Sequence, residues 1–181
     1  MRQALTPHPD SLTGGVAELH VEVGRRGAEL ALRYHLTGDL PGVALPRAGP
    51  SARGDELWRH TCFEAFLRSP SAAAYYELNF APSRQWAAYR LAGYRHGLAP
   101  VAIPQPRITV ERSAQSFLLD AALDLAGLPD LARGPWRLGL SAVVEAADGQ
   151  IGYWALAHPP GRPDFHHADC FALELGEPGR P

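Results

Sequence analysis

Three consecutive stretches decide the fold class: Thr61-Cys62-Phe63-Glu64-Ala65-Phe66-Leu67-Arg68, Tyr75-Tyr76-Glu77-Leu78-Asn79-Phe80-Ala81 and Gln85-Trp86-Ala87-Ala88-Tyr89-Arg90-Leu91. Each is short, rich in aromatic and apolar residues, and bounded by Pro, Ser or Gly, which is the pattern of a strand rather than a helix. Side chains alternate sides along a strand. Phe63, Ala65 and Leu67 therefore form one apolar set, and Tyr76, Leu78 and Phe80 a second. Glu64 and Phe66, then Tyr75, Glu77 and Asn79, point the other way. If the chain is already extended before Thr61, Trp58, His60 and Cys62 join them. Trp86 and Arg90 are grouped by type with this polar-aromatic set.

The same signals continue outward. Val16 to Val23 and Ala28 to Thr37 read as a hairpin across Gly24-Arg25-Arg26-Gly27. Arg107–Arg112 and Ser116–Asp120 form another antiparallel pair. Trp136–Ala146 and Ile151–Ala157 flank Asp148-Gly149, whose residue types tolerate the positive φ of a tight hairpin. Phe171–Leu175 closes the series, and only Leu123–Leu131 suggests helix, limited by Pro129. About ten antiparallel strands predict an all-β domain over residues 1–181, core about 16–175. The expected architecture is a two-sheet antiparallel β-sandwich, jelly-roll-like or immunoglobulin-like, with at most one or two short helices.

Composition narrows the chemistry. The chain has 181 residues, 46% hydrophobic and 20% charged, with formal net charge −2, so no basic surface argues for nucleic acid or an anionic membrane. All 17 basic residues are Arg, which excludes a Schiff-base amine and a phosphate-loop lysine. Met1 is the only Met, which argues against Met/His haem ligation, and Asn79 is the only Asn. No signal-peptide or membrane-spanning run is present, and a cytoplasmic location is expected. Cys62 and Cys170 read as buried free thiols, with a cross-strand disulfide or metal thiolate as alternatives.

Leu57-Trp58-Arg59-His60-Thr61-Cys62-Phe63-Glu64-Ala65-Phe66-Leu67, then Tyr75 through Pro82, resemble the DOMON-like family of bacterial proteins, which is similar to family 9 carbohydrate-binding modules. Tyr153 through Pro160, Pro163-Asp164-Phe165-His166 and Asp169-Cys170-Phe171 look like the same family. The resemblance implies a β-sandwich that binds a ligand on one end or concave face. In the family 9 modules a terminal sugar lies between two Trp rings, with carboxylate, Arg and amide groups on its hydroxyls. Trp58 and Glu64 match the first Trp and the carboxylate, and Arg84 or Arg90 can stand for the Arg. Where a second Trp belongs, the His158–Asp169 loop offers Phe165 and His166. Some DOMON relatives bind haem.

The candidate ligand-binding residues are thus Trp58, His60, Glu64, Asn79, Arg84, Trp86, Arg90, Phe165 and His166, for a small molecule of sugar type. A sugar needs an apolar platform and bidentate polar groups, which these residue types supply. A structural reading of the same residues has Trp58 capping the core edge and Glu64 pairing with an Arg. His158, Asp164, His166 and Asp169 are weak metal candidates, because adjacent His166-His167 point oppositely in an extended chain. No cofactor is predicted; haem or a metal ion in a redox or sensor domain remains an alternative, as does a protein-interaction domain. Glu64 with Glu77 could form a glycosidase pair. Neither sits in a recognisable catalytic motif, so a non-catalytic binding module is favoured over an enzyme.

Overall fold

The computed structural model describes residues 1–131 and 134–176, and these are all-β. Thirteen strands form: β1 (Arg2–Pro7), β2 (Val16–Arg26), β3 (Glu29–Gly38), β4 (Ala52–Arg53), β5 (Cys62–Arg68), β6 (Tyr75–Phe80), β7 (Gln85–Leu91), β8 (Ala99–Pro100), β9 (Arg107–Arg112), β10 (Ser116–Asp124), β11 (Trp136–Glu145), β12 (Ile151–Ala155) and β13 (Leu173–Leu175). They make one hydrogen-bonded path, β4-β7-β6-β5-β11-β12-β1-β2-β3-β10-β9, with β13 also on β11 and β8 on β7. The β4–β7 pairing is parallel.

Strand β1 makes the path continuous. Thr6 and Pro7 pair with Ala155 and Trp154 of β12, whereas Arg2 to Leu5 pair with β2. The architecture is therefore one curled sheet of thirteen strands, not the two separate sheets of about ten strands expected. Three strands escaped the sequence pattern for a simple reason. β4 and β8 are two residues long, and Leu5 is the only fully buried residue of β1, so none shows a period. The helix expected over Leu123–Leu131 does not form. β10 runs on through Asp124, whose carboxylate caps the Ala126 N–H at 2.9 Å, and Pro129–Leu131 is a single 3-10 turn. Leu125, Leu128 and Leu131 are buried one after another by these turns, which imitates helical spacing. Among the described residues there is no α-helix, and none long and apolar enough to cross a membrane.

The core fills the inside of the curl. Leu32, Tyr34 and Leu36 of β3 and Phe117 and Leu119 of β10 meet Phe63, Ala65 and Leu67 of β5 and Tyr76, Leu78 and Phe80 of β6. Phe63 lies at the centre, its ring stacked on Phe117 at 5.7 Å and tilted against Tyr34 at 5.0 Å. The Tyr34 hydroxyl crosses to donate to the Glu64 carbonyl oxygen at 2.7 Å, so a polar tip is satisfied inside an apolar layer. The inner sets expected for β5 and β6 are those observed. Cys62 and Cys170 are buried free thiols.

Candidate ligand-binding cleft

An antiparallel sheet with one face on the core ordinarily leaves its other face to water. Here every residue from Cys62 to Leu67 and from Tyr75 to Phe80 is buried. The outer face of β5 and β6 is therefore covered, and the cover comes from two loops, 92–98 and 156–172. Phe165 and Phe171 pack with Phe66, Tyr75, Leu91 and Val143 in a second apolar cluster on this outer face. Between that cluster and Trp58 lies a cleft of about 510 Å³.

Its floor is polar. Strand register sets Ser141, Glu64 and Asn79 side by side across β11, β5 and β6, and places Glu77 one row along, opposite Phe66. Glu64 Oε2 accepts the Ser141 hydroxyl at 3.1 Å, and Glu77 Oε1 accepts the Asn79 amide N–H at 2.8 Å. Asn79 Oδ1 is buried and has no hydrogen-bond partner among the described residues. Burial, then the neighbouring Glu77, pushes the Glu64 carboxyl up to about 8, against the opposing Ser141 bond. Burial also raises Glu77, while Asn79 and Arg95 pull it the other way. At neutral pH Glu64 holds a proton.

The walls are aromatic and cationic. The left-handed Glu56 (φ 54°) starts a 3-10 turn, Leu57–Arg59, that carries Trp58 edge-on to Tyr89 at 5.9 Å between ring centroids. Phe165 stands opposite, edge-on to Tyr153 at 6.0 Å. Asp164 ties the two covering loops together. It accepts from the Tyr94 hydroxyl at 2.6 Å and from the Arg95 guanidinium at 2.8 Å. Burial acts to raise the Asp164 carboxyl, but the Tyr94 and Arg95 bonds outweigh it and hold the group below its usual range. Tyr75 hydroxyl accepts the Arg95 backbone N–H at 3.2 Å and shares a hydrogen bond of 2.7 Å with His166 Nδ1. Burial, then Arg95, drives His166 down to about 4, and the ring is neutral in the working pH range. Arg162 is exposed and completes the lining with Arg95.

Of the residues expected at a site, Trp58, Glu64, Phe165 and His166 line the cleft, and Asn79 lies within its floor row. The other four are elsewhere. Trp86 pairs in register with Phe80, which puts it on the core face, where Arg53 sits over its ring at 5.3 Å. Arg90 pairs with Tyr76 on that same face, and both donate to Asp130. Arg84 is the left-handed residue (φ 71°) of the β6–β7 turn and donates to the Gly49 carbonyl at 2.7 Å. His60 follows the 3-10 turn, is 72% exposed and pairs with Glu145 at 2.8 Å. Because β5 begins only at Cys62, neither Trp58 nor His60 follows strand parity. Glu77, Arg95, Tyr153 and Arg162 were not among the expected ligand-binding residues. Glu77 was legible from its parity with Asn79, whereas the loop residues carry no local signal. The weak metal candidates do not converge: His158 bonds the Thr6 carbonyl, Asp164 holds Arg95, and Asp169 is exposed. No group of three or more His, Cys, Asp or Glu placed to hold a metal ion occurs among the described residues.

No family model matches the sequence, and no curated protein matches it. Solved structures share its fold. A Bacteroides uniformis protein named as carbohydrate-binding superposes with a TM-score of 0.64 at 13% identity, covering 93% of this chain and 83% of that one. A family 9 carbohydrate-binding module from Caldicellulosiruptor kristjanssonii, in complex with glucose, gives 0.55 at 10% identity over 95% of this chain and 81% of its own. A family 9 module of the same organism in complex with cellotriose gives 0.52 at 10% identity, over 89% and 74%. The likeness is one of fold.

Proposed function

We propose that this chain is a non-catalytic carbohydrate-binding module of DOMON-like type that holds a small sugar in the cleft. The observation that carries the reading is the buried Glu64–Asn79–Glu77 floor, with an unsatisfied amide oxygen, set beneath aromatic walls. Trp58 offers an apolar platform for the C–H face of a sugar ring, with Phe165 and Tyr153 facing it. Glu77 and Asn79 Oδ1 accept from hydroxyls, Arg95 and Arg162 donate, and the neutral His166 ring adds a further polar contact. Both carboxyl groups are already engaged by Ser141 and Asn79, which suits binding better than proton shuttling. The complexes of the structural neighbours with glucose and cellotriose support a sugar as the ligand class.

Calorimetric titration with a panel of mono- and disaccharides tests this. Trp58→Ala is expected to weaken the best sugar about ten-fold or more, the scale of a central aromatic anchor. If no sugar binds the wild-type protein, the reading fails.

A further inference from the structure

Glu64 and Glu77 are diagonal neighbours across the β5–β6 ladder, with Asn79 completing the row. Two carboxyl groups buried this deeply stay together only if a proton or a cation joins them. Among the described residues the protein places no cation in hydrogen-bond contact with either: Glu64 receives the Ser141 hydroxyl and Glu77 the Asn79 amide. Arg95 is committed to Asp164, and Arg162 stands exposed at the mouth. Asn79, itself 0% exposed, turns an amide oxygen with no donor onto the same face. The floor thus presents oxygen atoms from three side chains on two adjacent strands, answered only by the neutral donors of Ser141, Asn79 and the Glu64 acid and, among the described residues, by no cation in hydrogen-bond contact.

An alkylammonium group carries three N–H donors and no acceptor. The Trp58 and Phe66 rings beside the floor add the electron-rich surfaces that organic cations favour. We propose that the cleft takes an amino sugar, whose ammonium group docks on Glu64, Asn79 Oδ1 and Glu77. The inference rests on the carbohydrate-binding reading and names the sugar class. Docking converts the Glu64 carboxylic acid to a carboxylate, and its proton leaves to solvent while the ligand keeps its own three. The groups around Glu64 are Glu77 and Asn79 from β6, Ser141 from β11, Cys62 from its own strand and Tyr34 from β3 beneath it, while Arg95, Arg162 and His166 of the covering loops line the same cleft. Of these only the loop residues are cationic or can become so, and His166 is neutral well above pH 4.

The test compares glucosamine, glucose, N-acetylglucosamine and methylammonium by titration calorimetry at about pH 6.5, where an amine of this kind is protonated. Running each in two buffers of different ionisation enthalpy counts released protons. Glucosamine is expected to bind about ten-fold or more tighter than glucose or N-acetylglucosamine, the scale of hydrogen bonds to charged groups, with release of up to one proton. Glu77→Gln should bring the glucosamine-to-glucose ratio near one, and Glu64→Gln should abolish proton release. Circular dichroism confirms that both variants are folded, and either alone suffices. Equal affinity for glucose and glucosamine without proton release overturns the inference and leaves the sugar reading intact. Binding of methylammonium without any sugar overturns the sugar reading and the amino-sugar assignment while locating an amine subsite. Silence from all four overturns both.

Discussion

Replacing Glu64 by Gln should stabilise the protein at alkaline pH and leave it nearly unchanged at acidic pH. Burial and Glu77 raise the folded-state Glu64 carboxyl from 4.5 to about 8. An acid whose pKa is higher in the folded state binds more protons there, so unfolding becomes easier as pH rises. The Glu64 contribution is fully present below about 4.5 and is lost as pH climbs to about 8. At about 1.4 kcal/mol per pH unit, that span corresponds to roughly 5 kcal/mol, and relaxation around a buried charge lowers the expected effect to about 2–5 kcal/mol. The amide side chain of Glu64→Gln is nearly isosteric with the acid. Its carbonyl oxygen can accept from Ser141, and its N–H can donate to the unsatisfied Asn79 Oδ1, so the variant keeps the floor's geometry. Urea unfolding of wild type and Glu64→Gln at about pH 5 and pH 8 measures the difference. Other titrating groups, His166 and Asp164 included, stay in both proteins and largely cancel in that difference. A stability difference between the two proteins that does not move by more than about 0.5 kcal/mol from pH 5 to pH 8 would refute the claim that Glu64 is a neutral acid in the folded state.

His166 has the opposite sign. Its folded pKa is depressed to about 4, so its contribution is present above 6.5 and is lost as pH falls toward 4. His166→Gln should flatten the decline in stability over that window by up to about 3 kcal/mol, as read by unfolding at about pH 7 and pH 4.5. Gly38 has φ 146°, and a Cβ there would fall onto the Gly15 carbonyl oxygen. Gly38→Ala should therefore cost roughly 3 kcal/mol and lower the melting temperature measured by calorimetry. Phe63→Ala removes the ring between Tyr34 and Phe117, and chemical denaturation should show a loss of about 3–5 kcal/mol.

The sequence displays best those parts of the fold whose causes are local. Alternation in β5 and β6 separates Phe63, Ala65 and Leu67 from Glu64, and Leu78 from Asn79, because a period of two is fixed by the backbone alone. The Asp148-Gly149 turn is equally local: Gly149 adopts φ 84° between β11 and β12. Trp86 went to the wrong face because its chemistry resembles that of the polar-aromatic set, whereas its position is dictated by pairing with Phe80 across a two-strand register. Register depends on the left-handed turn at Arg84, which residue types alone do not announce. Arg95 and Arg162 are farther out of reach. They arrive on loops whose approach is set by Asp164, through contacts 69 residues apart in the case of Arg95. The Arg expected beside Glu64 was Arg84 of the β6–β7 turn or Arg90 of β7, whereas the guanidinium groups that line the cleft, Arg95 and Arg162, come from the covering loops.

This division of causes bears on how the site works. The floor residues sit on β5 and β6, which β11 and β7 flank on either side and which the core braces from beneath. Their positions are tied to the register of the whole sheet, so the Glu64–Asn79–Glu77 acceptors cannot shift without unpairing strands. The walls are held differently. Trp58 hangs from a single 3-10 turn, while Phe165, His166 and Arg95 depend on the Asp164 and Tyr75 links between two loops. Those links are few and partly exposed, so they are weak beside the ladder hydrogen bonds. On the proposed reading a ligand would meet a rigid set of acceptors and an adjustable set of rings and guanidinium groups. On that reading, changes in the loops would retune which ring shape is accepted, whereas charge selection would stay with the strands.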